Sequence, residues 1–179
     1  NMTYLIFSDI HGTLNSCEFI IKKYNELQPN KLILLGDILY HGPRNDLPDT
    51  YNPKAVIKLL NPIADKIICV KGNCDAEVDQ MVLNFKIWTN KTIKFHNKKI
   101  LLTHGHHINH LEPIKNNNIN IVIHGHTHVN RIDVINNCTY INLGSISIPK
   151  DNIKSYAIMN DNGIYIYDIN DILILKYDF

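Results

Sequence analysis

A chain of 179 residues, 45% of them hydrophobic, can bury a sizeable core but is too short for two full catalytic domains, so a single domain over residues 1–179 is expected. Its 18 Lys and Arg against 17 Asp and Glu give a formal charge of +1, which provides no broad basic surface of the kind that dominates nonspecific DNA binding. Cys17, Cys69, Cys74 and Cys138 have neither the density of a disulfide scaffold nor CxxC spacing, and no apolar run approaches the roughly 20 residues of a membrane span. A reducing cytoplasmic setting is expected, with no signal-peptide core at the start and Asn1 reading as a cloning remnant ahead of Met2.

Thr3 to Ser8 is a β-favouring run that breaks at Asp9, followed by a turn at Gly12 and a helical stretch from Leu14 to Leu27. Lys31 to Leu35 repeats the strand pattern and ends at Gly36-Asp37. Ala55 to Leu60 reads as a helix, and Lys66 to Val70 is a third strand ending at Gly72-Asn73. Continuous apolar strands separated by helix-length intervals are the βαβαβ signature of a buried parallel sheet. The long loop from Ile38 to Asn52 carries His41-Gly42-Pro43-Arg44-Asn45, and loops of such length in compact domains are often functional.

Beyond Asp75 the texture changes. Strand-like pieces follow closely at Leu83 to Trp88, Thr92 to His96, Lys99 to Thr103, Ile119 to Ile123, Val129 to Ile135 and Thr139 to Leu143. Ser155 to Asn160, Gly163 to Asp168 and Ile172 to Tyr177 complete the chain, with a hairpin turn at Asp161-Asn162-Gly163. The second half is therefore expected to be β-rich and partly antiparallel. There is no internal repeat or linker, and Asn116-Asn117-Asn118 reads as a local loop.

Polar groups close several of these runs: Asp9-Ile10-His11, Gly36-Asp37, Gly72-Asn73, His104-Gly105-His106 and Gly125-His126-Thr127-His128. A parallel sheet gathers such strand ends at one edge, where open α/β folds place their chemistry. Carboxylate, amide and imidazole donors suit hard or borderline divalent cations, and the set contains no obligatory thiolate. In an extended strand, residues two apart share a side, so Asp9 and His11 are expected to address one ion while Ile10 enters the core; His126 and His128 have the same spacing. Each pair alone has an ordinary reading as a turn or surface group. Seven of the ten histidines fall between His104 and His128, and it is the combination that points to metal chemistry.

In their order, these motifs resemble the calcineurin-like metallophosphoesterase superfamily. Together with His41 to Asn45, Gly72-Asn73-Cys74-Asp75, Val78 to Met81 and Gly144-Ser145 through Pro149-Lys150, they are most similar to its bacterial YfcE-type phosphodiesterases. The resemblance implies an α/β fold of two mixed β-sheets packed as a sandwich flanked by helices. It implies one metal among Asp9, His11, Asp37 and His128, and another among Asp37, Asn73, His104 and His126, with Asp37 as the bridge. Mn is the first choice, with Ni, Co, Fe and Zn as alternatives. The implied reaction is in-line attack of a metal-bridging hydroxide on a small phosphodiester, with Asp37, Asn73 and His104 as catalytic residues.

Asn73, His41, Arg44 and His106 are the candidate substrate contacts. Arg44 suits bidentate phosphate recognition, while a loop staple is the other reading for His41 and Arg44. Many superfamily members have His where this chain has Cys74, and the YfcE-type relatives share the Cys. A thiol lacks the positive charge of an imidazolium, so good leaving groups are favoured if Cys74 is catalytic; otherwise it simply packs. His124 is expected on the strand before its turn, with His96, His107 and His110 solvated. A phosphomonoesterase and, in another class, a non-catalytic protein-binding scaffold are the competing functions, since fold alone does not establish catalysis. Homo-oligomerisation is left open, and neither a membrane nor a nucleic-acid partner is expected.

Overall fold

The structure is a computed structural model and describes residues 1–115 and 118–179; Asn116 and Asn117 of the expected loop lie outside the described residues. Four short strands form a parallel run: β1 (Tyr4–Phe7), β2 (Lys31–Leu34), β3 (Ile67–Val70) and β4 (Ile87–Trp88). Between them lie α1 (Leu14–Leu27), α2 (Pro53–Leu60), a 3-10 helix (Asn61–Lys66) and the short α3 (Asp79–Val82). The second half supplies β5 (Lys91–Phe95), β6 (Lys98–Leu102), β7 (Ile121–His124), β8 (Asn130–Ile135) and β9 (Cys138–Leu143). It ends in the antiparallel strands β10 (Ser155–Asn160), β11 (Gly163–Asp168) and β12 (Leu173–Asp178).

The first sheet has the order β12-β11-β10-β1-β2-β3-β4 and the second β5-β6-β7-β9-β8. Both mix parallel and antiparallel pairs; β6, β7 and β9 are parallel neighbours in the second. The period-two alternation of strands divides the apolar residues into layers. Leu5, Phe7, Leu32, Leu34 and Cys69 pack with Cys17 and Ile20 of α1 and Val56 and Leu60 of α2. The intervening Ile6, Ile33 and Val70 join Ile100, Leu102, Ile121, Ile123, Ile141 and Leu143 in the core between sheets. Leu101, Val122 and Tyr140 cover the far face of the second sheet. The expected two-sheet α/β architecture is therefore present.

The helix over Leu14–Leu27 has the expected bounds. Asn52 caps α2 through Ala55 N at 3.2 Å, and Pro53 occupies a first-turn position where a missing N–H costs nothing. Leu83 to Trp88 departs from expectation: only Ile87–Trp88 is strand. Leu83 and Phe85 are buried as apolar plugs against the α1/α2 layer, and their alternation mimics a pleat without a ladder.

Far from the polar strand ends, Lys23 of α1 is buried beneath Asp171, with Nζ 2.6 Å from Oδ2, while Tyr156 Oη donates to Asp171 Oδ1 at 2.5 Å. Hydrogen bonds from Lys23 and Tyr156 hold the Asp171 carboxyl below its ordinary range. Burial depresses Lys23, but the bond to Asp171 and its charge outweigh burial and raise it. Asp171→Ala is expected to cost about 1–2 kcal/mol by removing the acceptor of the Tyr156 hydroxyl and one of the two carboxylates beside Lys23, Glu26 at 3.3 Å being the other. A lowered acid contributes stability above its unfolded value and loses it as pH falls through the folded one; a raised Lys behaves conversely at high pH. The wild-type advantage in urea midpoint is thus expected between about pH 4 and pH 10 and to vanish below that window. A pH-independent difference would remove the ion pair from the explanation.

Candidate metal centre

The polar groups singled out in the sequence lie just beyond strand ends, on loops. Asp9 follows β1, Asp37 follows β2, Asn73 follows β3, His104 follows β6 and His126 follows β7, while His128 precedes β8. The C-terminal ends of parallel strands from both sheets therefore converge. Their local backbone differs from the expected pleat. Asp9, His11, Asp37, His126 and His128 all adopt positive φ, between 50° and 72°. Successive left-handed turns, rather than extended alternation, aim Asp9 and His11 inward, with Ile10 buried in the core between them. Such conformations are costly for non-glycine residues and persist where the surroundings over-determine them.

Backbone carbonyls fix the imidazoles. His11 Nδ1 donates to Tyr40 O at 2.9 Å, His104 Nδ1 to Leu35 O at 2.7 Å and His128 Nδ1 to Ile148 O at 2.8 Å. In the neutral rings this leaves each Nε2 as a lone pair facing the site, the tautomer a metal ligand requires. His11 Nε2 is buried without a hydrogen-bond partner, 3.5 Å from Asp9 Oδ1 and 3.6 Å from Asp37 Oδ2. His128 Nε2 lies 3.2 Å from Asp9 Oδ1.

On the other side of Asp37 the same logic is tighter. His104 Nε2 is 3.1 Å from both Asp37 Oδ2 and Asn73 Oδ1. His126 Nδ1 is 3.1 Å from Asn73 Oδ1 and 3.2 Å from His104 Nε2. Lone pairs facing lone pairs are repulsive unless a proton or a cation lies among them. Asp9–His11–His128 and Asp37–His104–His126 each place one donor atom per residue within 4.8 Å of one another. The donor set and this geometry fit two divalent cations.

The charges agree with that fit. Asp9 is fully buried and Asp37 is 2% exposed, and among the described residues both form ion pairs with histidine alone. Burial pushes Asp9 upward, but His104, His11 and His128 outweigh it and hold the carboxyl well below its ordinary value. Burial pulls His104 down, yet Asp9 and Asp37 overcome it and push the ring up to about 9. His126 moves the other way, to about 4, through burial and then the charge of His104. The carboxylates demand positive charge, and without a metal a proton on His104 supplies it.

Several supporting residues were given no role by the sequence reading. Ser8 Oγ donates to Asp9 Oδ2 at 2.6 Å and the His126 amide donates to the same oxygen at 3.1 Å, leaving Oδ1 for the site. Ser145 Oγ and Ser147 Oγ donate to the carbonyls of Asp9 and Ile10 at 3.0 and 2.6 Å. Asp75 accepts from the amides of Asp37, Ile38 and Gly72 at 2.8, 2.9 and 2.7 Å, tying the β2 and β3 loops together. Burial raises its carboxyl to about 6, so it is mostly ionised at neutral pH. Only the Gly-Asn-Cys-Asp spacing hinted at Asp75. Gly72 is required by closeness: a Cβ there would sit 2.2 Å from Asp37 Oδ1.

Above the cluster opens a cleft of about 730 Å³, lined by Arg44, Asn45, Asn73, Cys74, Thr127 and Lys150 among others. Arg44 is thus placed beside the site, and so is Lys150, which closes one of the quoted motifs but was given no role there. His41 is not among the lining residues: its ring packs against Tyr40 and Tyr51, with centroids 4.8 and 5.3 Å away, in the arrangement of a loop staple. His106 also lies outside the lining, its ring tilted against His107 at 4.0 Å and 5.4 Å from the His104 ring. His124 ends β7, on the strand as expected, and is buried, while His96 is exposed and pairs with Asp161. His107 is exposed, whereas His110 is only partly so, with a buried, unpartnered Nδ1.

The profile of the calcineurin-like phosphoesterase superfamily domain matches residues 2–162. Phosphodiesterase YfcE of Escherichia coli is 37% identical over 174 residues, covering 95% of this chain and 94% of its own. The YsnB protein of Bacillus subtilis is 28% identical, covering 88% and 83%. The solved structure of the E. coli phosphoesterase superposes with a TM-score of 0.93 at 35% identity over 99% of both chains. At 20% identity, Vps29 of Entamoeba histolytica complexed with zinc shares the fold, with a TM-score of 0.63 over 99% of both chains.

Proposed function

Because this chain belongs to the calcineurin-like phosphoesterase superfamily, we propose that it is a two-metal phosphodiesterase acting on a small phosphodiester. The observation that carries this reading is the set of lone pairs turned toward one another around Asp37, drawn from both sheets. Asp9, His11, Asp37 and His128 would hold one ion, and Asp37, Asn73, His104 and His126 the other, Mn being the first choice. Bound ions supply Lewis acidity, an acidified water for in-line attack, and positive charge that two carboxylates only partly offset.

The chain's own groups set how a substrate is received. Carbonyl-anchored rings keep His11, His104 and His128 from rotating, so the donor geometry is preorganised. Arg44 and Lys150 bring cationic side chains to the cleft, where a guanidinium matches phosphate oxygens. Burial and the charges of Asp37, Asp75 and Asp9 push the Cys74 thiol up to about 12 in the metal-free site, and neither a thiol nor a thiolate offers a cation to a departing alkoxide. Leaving groups that depart without a proton are favoured.

Dialysed protein restored with Mn2+ is expected to hydrolyse an aryl phosphodiester faster than the matching monoester; the reverse preference would reject this ordering. Failure of every divalent ion to restore hydrolysis, with no binding by calorimetry, would favour the scaffold reading. Cys74→His is expected to raise monoester relative to diester hydrolysis by supplying an imidazolium. An unchanged ratio would assign Cys74 to packing alone.

A further inference from the structure

A third group of candidate donors shares the centre with the two already described: His11, Asp37 and Cys74, whose donor atoms all lie within 4.8 Å of one another. The sulfur is positioned by the site itself. Cys74 N donates to Asp37 Oδ1 at 2.8 Å, so the carboxylate at the middle of the cluster also anchors the cysteine. Its side chain lines the cleft, with Sγ 3.7 Å from Asn73 Nδ2. Gly42 leaves the space beside it open, since a Cβ there would approach Sγ to 3.0 Å. The second observation is His11, 1% exposed, whose buried Nε2 has no hydrogen-bond partner and belongs to this same group.

We propose that Cys74 is a conditional metal ligand, joining His11 and Asp37 around a thiophilic cation such as Cd2+, Co2+ or Zn2+ but not around Mn2+. The inference rests on the metal-centre reading above. Thiolate is a soft donor that selects zinc-like and softer ions, whereas Mn2+ is satisfied by carboxylate, amide oxygen and imidazole. As the sulfur–metal bond forms, the thiol proton passes to solvent. Which ion is loaded then decides whether the centre is ligated by oxygen and nitrogen alone or also by sulfur. Cys17, Cys69 and Cys138 are buried away in the packed layers and do not compete.

The test is optical and independent of turnover. Dialysed full-length protein is titrated with Cd2+ and with Co2+ while the sulfur-to-metal charge-transfer band is recorded, and Mn2+ binding is measured by calorimetry on the same sample. Wild type is expected to show the band and to bind Mn2+. Cys74→Ser is expected to lose the band, bind Cd2+ at least about tenfold more weakly, and keep its Mn2+ affinity. A band that survives in Cys74→Ser, or a wild type that binds Mn2+ yet shows no band, overturns this proposal while leaving the metal-centre reading intact. A wild type that binds no Mn2+ and shows no band overturns both.

Discussion

Asp37→Asn is expected to yield a folded protein that retains less than about 1% of phosphodiester hydrolysis, a larger loss than the roughly 10–100-fold seen when an outer-shell partner of a metal is removed. The reason is its double duty. Oδ2 faces His11 at 3.6 Å and His104 at 3.1 Å, so one carboxylate addresses both proposed ions, while Oδ1 holds the Cys74 amide. An amide of the same shape preserves packing but removes one of the two negative charges among the proposed ligands, which weakens cation binding on both sides together. Asn73→Ala is expected to have a comparable effect by removing the oxygen that faces His104 and His126. Initial rates with saturating Mn2+, alongside circular dichroism and calorimetric metal titration, check both. Residual activity above a few per cent with a native spectrum would sink the shared-metal assignment.

Asp75→Ala is expected to lower stability by about 3 kcal/mol or more, since three amide donors lose a charged acceptor and each buried unmatched donor costs about 1–3 kcal/mol. It is also expected to weaken Mn2+ binding by roughly 10–100-fold although no proposed ligand is itself altered. The mechanism is positional: the Asp37, Ile38 and Gly72 amides converge on this carboxylate and fix the β2 and β3 loops against each other. Thermal melting and calorimetry on one sample distinguish this from a purely structural role. A destabilised protein with wild-type Mn2+ affinity would remove Asp75 from the positioning of the centre.

Most of the scaffold was legible because burial leaves a period in the sequence. The helix over Leu14–Leu27 and the hairpin strands Ser155–Asn160 and Gly163–Asp168 have the bounds their patterns imply. The misreading at Leu83 to Trp88 arose because alternating apolar residues fill holes in an irregular segment as readily as they line a pleat. The proposed ligands were legible as residues but not as geometry. Nothing in Asp9-Ile10-His11 announces two left-handed residues, because that conformation is imposed by tertiary contacts such as the bonds from the His11 amide to Asp37 O and from Ser145 to Asp9 O. Supporting groups were hidden as well: Asp75 is a common residue whose partners Asp37 and Ile38 lie in another loop, and Ser8 is an ordinary strand-end serine whose hydroxyl bonds the neighbouring Asp9 carboxylate. Lys150 is distant in sequence from Arg44, and only folding brings both to one cleft.

The convergence of loops from two sheets has a consequence for the lifetime of the protein. Asp9 and His128 are 119 positions apart in the chain, and the facing donors around Asp37 likewise come from opposite layers of the sandwich. On the proposed assignment the ions act as rivets across the seam between those layers, and they engage only when it is closed. By mass action, free metal at 100 times its dissociation constant adds about 2.7 kcal/mol to the folded state. A cell short of the metal would then hold less of this protein as well as a less active form of it, because an unriveted seam opens more often to proteolysis.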